Sequence, residues 1–131
     1  MITKQLSVFL ENRTGRLNDV ARILAKENIN MSAFSVADNS DFGILRVITD
    51  KPEEARAVLK KEGFAVSLND VIMLNLSNTP GSLWMILEVF AQKGIYIEYM
   101  YAFSEGATAV TVIRPSDMEK AVEVLAAKGM D

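Results

Sequence analysis

The sequence contains no cysteine and no histidine. The first absence removes disulfides and thiolate chemistry, the second removes imidazole acid–base catalysis, and together they take away the usual zinc ligands. Basic residues are also in deficit, 14 Lys and Arg against 17 Asp and Glu, for a net charge of −3. A broadly basic surface of the kind that neutralises nucleic-acid phosphates is therefore missing. No apolar run approaches the ~18–20 residues that a membrane-spanning helix requires. The first eleven residues alternate like a strand and carry no apolar signal segment. These absences point to a cytoplasmic protein with neither a nucleic-acid nor a membrane partner. Carboxylates remain for catalysis, with Glu53/Glu54 and Asp38/Asp41 adjacent in sequence. The first pair sits in the first turn of a predicted helix, where acids suit the dipole, and the second in a turn. Neither needs a chemical role, so the chain reads as non-catalytic, with no cofactor and no metal.

Half of the 131 residues are apolar, enough for one ordinary domain or two very small ones. The choice is made by a repeat. LENRTGRL at 10–17 returns as LSNTPGSL at 76–83, and a constant offset of 66 residues, without a gap, matches Leu10, Asn12, Gly15 and Leu17 to Leu76, Asn78, Gly81 and Leu83. The same offset matches Ala25, Ile29, Glu53, Ala55, Val58, Leu59 and Gly63 to identical residues. The chain divides into two tandem modules, 1–69 and 70–131.

Each module reads strand, helix, strand, strand, helix, strand. In the first, Gln5–Leu10 alternates, and Gly15–Glu27 places Leu17, Val20, Ala21 and Leu24 on one helical stripe. Strands follow over Met31–Ala37 and Gly43–Thr49 around the turn residues at 38–41. Pro52 opens the next helix, Ala55, Val58 and Leu59 face inward, and Gly63 stops it. Phe64–Leu68 is the fourth strand. In the second module, Val71–Leu76 is a strand and Gly81–Gln92 a helix with Leu83, Ile86, Leu87 and Phe90 inward. Strands over Ile97–Phe103 and Ala109–Ile113 flank a turn at 104–107. Ser116 is the expected N-cap of a helix through Ala127, with Glu119 completing a capping box. The fourth strand of this module is expected to be missing or truncated, or its place filled by a neighbouring strand.

This order is the split βαβ, ferredoxin-like α+β arrangement, an antiparallel sheet with helices on one face. Ile97, Tyr99, Tyr101 and Phe103 are expected on one side of their strand, with Met100 and Ala102 on the other, which makes both sides apolar. Such a sheet needs cover on its second face, and a homodimer is expected. The strand carrying RNA-stacking aromatics in an RNA-recognition module is here FGILRVIT or ATAVTVIR, and lacks the pattern.

The repeated loop delivers the chain to a helix N-terminus, where backbone N–H groups lack partners and an anion can dock. Gly15 and Gly81, without a Cβ, let the backbone approach a ligand. Asn12 and Asn78 offer both a donor and an acceptor, suited to the carboxylate and ammonium of a free amino acid. Arg13 and Arg16 can meet a carboxylate. Asn30 stands where the first helix hands over to the second strand, and joins the site only if that loop folds back or a neighbour supplies it. Each piece also has a purely structural explanation. Asn often caps a helix or makes an Asx-turn, and Thr14, or Thr79 followed by Pro80, starts a helix without any ligand. Lys60, Lys61 and Lys128 read as helix-end charges.

Residues 6–37, with Asn12, Gly15, Leu17, Ile29 and Asn30 in place, resemble the opening of an ACT domain, a small-molecule sensing module of amino-acid metabolism. The first module is similar to the regulatory small subunits of acetohydroxyacid synthase. That resemblance implies that Asn12, Gly15 and Asn30 contact an effector. The second module keeps Asn78 and Gly81 but has Tyr96 at the position of Asn30. Its Gly81–Leu83 is similar to the GAL motif of phenylalanine-sensing ACT domains, whose ESRP motif is unmatched by Tyr99–Ala102. Over the whole chain the resemblance is to stand-alone tandem ACT proteins. It implies an amino-acid-binding regulator, a metabolic enzyme as partner, and ligands held between modules, which can join into an eight-stranded sheet. The ligand-facing residues are then Asn12, Arg13, Thr14, Gly15, Arg16, Leu17 and Asn30 in the first module, and Asn78, Thr79, Pro80, Gly81, Ser82 and Leu83 in the second. The competing expectation is a dimerisation module that binds a partner enzyme without any ligand.

Overall fold

The computed structural model describes residues 1–38 and 41–130. Their elements are β1 (Ile2–Glu11), α1 (Arg16–Lys26), β2 (Met31–Asp38), β3 (Phe42–Thr49), α2 (Pro52–Lys61), β4 (Ala65–Ser77), α3 (Ser82–Gln92), β5 (Ile97–Glu105), β6 (Thr108–Pro115) and α4 (Met118–Ala127). This is the expected pair of ferredoxin-like βαββαβ modules. They form two compact units, one of Lys4–Asn69 and one that joins Met1–Thr3 to the chain from Asp70 onward.

In the first unit the strand order is β2-β3-β1-β4. β1 pairs antiparallel with β3, from Leu6 opposite Val47 to Glu11 opposite Phe42. Leu6, Val8, Leu10, Leu45 and Val47 thereby face the helices, where they pack with Val20, Ile23 and Leu24 of α1 and with Ala55 and Leu59 of α2. The buried stripe of α1 is thus Val20, Ile23 and Leu24. Leu17 and Ala21, expected in it, are exposed. Pro52 occupies the first turn of α2 as expected.

In the second unit β4 lies beside β6 and β6 beside β5. Ile72, Leu74, Leu76 and Ile113 face Ile86, Phe90, Ala121 and Leu125 of its helices. The fourth-strand position is taken by the first residues of the chain, where the Met73 N–H donates to the Met1 carbonyl at 2.8 Å. One chain supplies six strands among the described residues, not eight, because β4 runs unbroken from Ala65 to Ser77 through both modules and no strand follows α4 among those residues. The expected break at Asn69–Asp70 does not occur. Asn69 Oδ1 accepts from the Ser7 hydroxyl at 2.7 Å, and the Asp70 carbonyl accepts from Arg114 Nη1 at 2.6 Å. These two long-range bonds hold the strand extended through the pair.

Two local expectations need correcting. A register shift between Ile97 and Tyr99 turns Ile97 to the helix side, where it packs on the core with Met100. The aromatic row on the opposite face is therefore Tyr99, Tyr101 and Phe103, next to Val110 and Val112 of β6. The N-cap of α4 is Asp117, whose carboxylate accepts from the Lys120 N–H at 3.0 Å. Ser116 is held one residue earlier, its hydroxyl accepting from the Tyr96 N–H at 3.0 Å.

Candidate functional site

Both copies of the repeated loop end in glycine. Gly15 and Gly81 are the N-caps of α1 and α3, in the left-handed region at φ 92° and 90°, and neither helix start is capped by a side chain. Thr14 and Thr79 therefore do not cap. Thr79 Oγ1 instead lies 2.9 Å from Ser82 Oγ and 3.1 Å from Ser77 Oγ. A Cβ at either glycine would meet nothing within 4 Å, so the residue is required for its φ and not for close approach within this chain. Gly15→Ala is expected to cost about 1–2 kcal/mol, read by chemical denaturation. A loss below a few tenths would mean that the loop relaxes to another path.

Beside each loop lies a cleft. The first, of about 420 Å³, is lined by Leu10, Glu11, Asn12, Arg13, Thr14, Arg16, Leu17, Val36, Asp38 and Gly43. The second, of about 150 Å³, is lined by Leu76, Ser77, Asn78, Thr79, Ser82, Leu83, Met100, Ala102, Ala109 and Thr111. Eight positions in each are related by the offset of 66 residues. Leu17 and Leu83, each 41% exposed, are the apolar walls of these clefts. That explains why the motif keeps a leucine that the core does not use.

The two clefts differ in charge. Glu11, Arg13 and Arg16 of the first are replaced by Ser77, Thr79 and Ser82 in the second. Glu11 lies 3.3 Å from Arg13 Nε and 3.7 Å from Arg16 Nη2, while Arg16 Nη1 is 3.4 Å from Asp19. The Arg16 side chain is only 15% exposed, and its guanidinium lies 4.0 Å over the Phe64 ring. Its Nε is buried without a hydrogen-bond partner. With Asp38 the first cleft presents both signs of charge over an apolar floor.

Asn30 does not join the first cleft. α1 carries it away by about 16 Å, the rise of 11 residues, and its N–H donates to Asp50 Oδ1 at 3.0 Å. Tyr96 repeats this bond with Ser116, so the handover position anchors backbone in both modules whatever its side chain. Neither Gly15 in the first module nor Pro80 and Gly81 in the second line a cleft; they set the path of the loop. Asn78 Nδ2 donates to the Gly106 carbonyl at 3.1 Å and its N–H to the Ala107 carbonyl at 2.8 Å, tying its loop to the β5–β6 turn. The equivalent turn of the first module includes 39 and 40, outside the described residues. Sequence reasoning missed Glu11, Val36, Asp38 and Gly43. The pairing of Gly43 with Leu10 and with Asp38 brings the β2–β3 end to the loop, and the split βαβ strand order carries that signal.

Among the described residues, no group of three or more His, Cys, Asp or Glu could hold a metal ion, and no helix is long and apolar enough to cross a membrane.

The profile of the ACT domain pair family matches residues 1–131. A crystal structure of protein BT0572 from Bacteroides thetaiotaomicron is 50% identical with a TM-score of 0.96, covering 100% of this chain and 91% of that one. The ligand-free regulatory subunit of aspartate kinase from Thermus thermophilus is 14% identical at TM-score 0.70, covering 97% and 96% of the two chains. The corresponding subunit from Thermus flavus is 18% identical at TM-score 0.68, covering 97% and 92%. These last two likenesses are of fold. No curated protein matches the chain. On the family profile and the half-identical relative, the chain belongs to the ACT domain pair family.

Proposed function

We propose that this chain is a non-catalytic regulatory protein that binds a free amino acid in the first cleft. The observation that supports this most is the charge pattern there. Arg13 and Arg16 suit a carboxylate, Glu11 and Asp38 suit an ammonium, Asn12 serves either, and Leu10, Leu17 and Val36 form an apolar wall. The first turn of α1, uncapped by a side chain, adds its positive end. Thr14 completes the rim and Gly15 sets the loop. The second cleft, with Asn78, Thr79, Ser82 and Leu83 behind the Pro80–Gly81 turn, is narrower and carries no charge, so it binds the same ligand less well.

The module boundary falls between 69 and 70. A homodimer brings Asn30 of a second copy to the site, the arrangement implied by the resemblance to acetohydroxyacid synthase small subunits, and covers Tyr101 and Phe103. The shared fold with regulatory subunits of aspartate kinase supports a metabolic enzyme as partner, in the cytoplasm. Regulation then requires the amino acid to favour one assembly over another. A second reading, a dimerisation module without ligand, is favoured by Asn78, whose amide already holds the Gly106 turn.

Thermal unfolding against each free amino acid at millimolar concentration separates the two. A ligand at about 100 times its dissociation constant adds about 2.7 kcal/mol to the native state. The shift is expected for one side-chain class, and is expected to vanish in Asn12→Ala at little cost in stability. No shift with any amino acid favours the second reading.

A further inference from the structure

In the first module the chain fills its own interior beside α1 and α2. Phe64 is buried there beneath the Arg16 guanidinium. The offset of 66 residues puts Ser82 and Met130 at those two positions in the second module, and Lys128 where the first has Glu62. A serine and a flexible thioether replace a ring and its covering cation. The structure has a cavity of about 370 Å³ at this place, between α3 and α4, with walls that include Leu76, Ile86, Leu125 and Met130. The pocket opens to solvent on one side, and a mainly apolar pocket of this size suits a small molecule with an apolar body.

We propose that this cavity is a separate binding site for a small aryl or branched-alkyl carboxylate. Three observations select that chemistry. The walls are mainly apolar, from Leu76, Met85, Ile86, Val89, Leu125 and Met130, as a ring or branched chain requires. Lys128 is the one charged residue among those described that line the cavity, so an anionic head is favoured. Among the described residues no carboxylate lines it, so none of them holds an ammonium, and a carboxylic acid is preferred over the corresponding amino acid. At the position of Met130 the first module carries the larger phenyl ring of Phe64. The cavity shares Leu76, Ser77 and Ser82 with the narrow second cleft, and the rest of its lining comes mainly from α3 and the end of α4.

Titration calorimetry of the whole chain with 3-phenylpropanoate tests this. Wild type is expected to bind, and to bind the neutral alcohol 3-phenylpropan-1-ol several-fold less tightly. Met130→Phe, which returns a ring to the cavity, is expected to weaken binding at least tenfold without lowering the melting temperature. If that variant unfolds early, Val89→Phe fills the cavity from the α3 wall with the same expected loss. Lys128→Ala is expected to weaken binding several-fold, and Arg16→Ala to leave it unchanged. Absence of binding to wild type at millimolar probe, equal binding by the filled variants, or loss of binding in Arg16→Ala would each overturn the assignment.

Discussion

Arg16→Ala is expected to abolish the stabilisation that a free amino acid gives the protein, weakening its binding at least a hundredfold. The residue joins two layers of the first module. Its guanidinium lies over the buried Phe64 ring, and the Nη atoms of the same group reach Glu11 and Asp19 beside the cleft. An arginine held in this way is pre-organised for a carboxylate, because ordering its long side chain is already done by folding. Removing the side chain also uncovers Phe64, so a separate loss of about 1–2 kcal/mol in unliganded stability is expected. Chemical denaturation with and without ligand separates the two effects. If the ligand stabilises the variant as much as wild type, Arg16 is a structural cover and no part of the site.

Phe90→Ala is expected to be the most destabilising single change in α3, at about 3–5 kcal/mol. Phe90 is 1% exposed and packs with Ile86, Leu125 and Ile113 at the centre of the second core. Trp84 is larger but 65% exposed, and Trp84→Ala is expected to change stability by no more than about 0.5 kcal/mol. Paired denaturation curves check the contrast. A Trp84 loss of several kcal/mol would mean that another surface covers it in solution.

That contrast also shows where sequence reasoning stops. The periodicity of α3 puts Leu83, Ile86, Leu87 and Phe90 on one stripe, and Ile86 and Phe90 are buried as it requires. The first position of the stripe, like Leu17 in α1, overhangs the end of the sheet and lines a cleft instead. Spacing alone cannot tell a core wall from a cleft wall, since both are apolar at the same phase. The two modules were legible because the 66-residue offset holds without a gap. The continuity of β4 was not, because Asn69–Asp70 has turn composition and is kept extended by partners distant in sequence, Ser7 and Arg114. Non-local pairing likewise hid the register shift at Ile97 and the cleft contributions of Val36, Asp38 and Gly43. The loop residues Asn12, Arg13, Thr14, Arg16 and Leu17 were readable because they are contiguous. Asn30 is at the handover from α1 to β2, and within this chain that is the other end of α1 from the loop.

Whether a free amino acid is held at the first repeated loop is decided by amide hydrogen exchange, followed residue by residue with and without a saturating mixture of the free amino acids. Slowed exchange is expected, concentrated in residues 11–18, at the loop and first turn of α1, with a smaller effect or none at 77–84. Unchanged exchange across residues 11–18 would contradict it, whatever happens elsewhere in the chain.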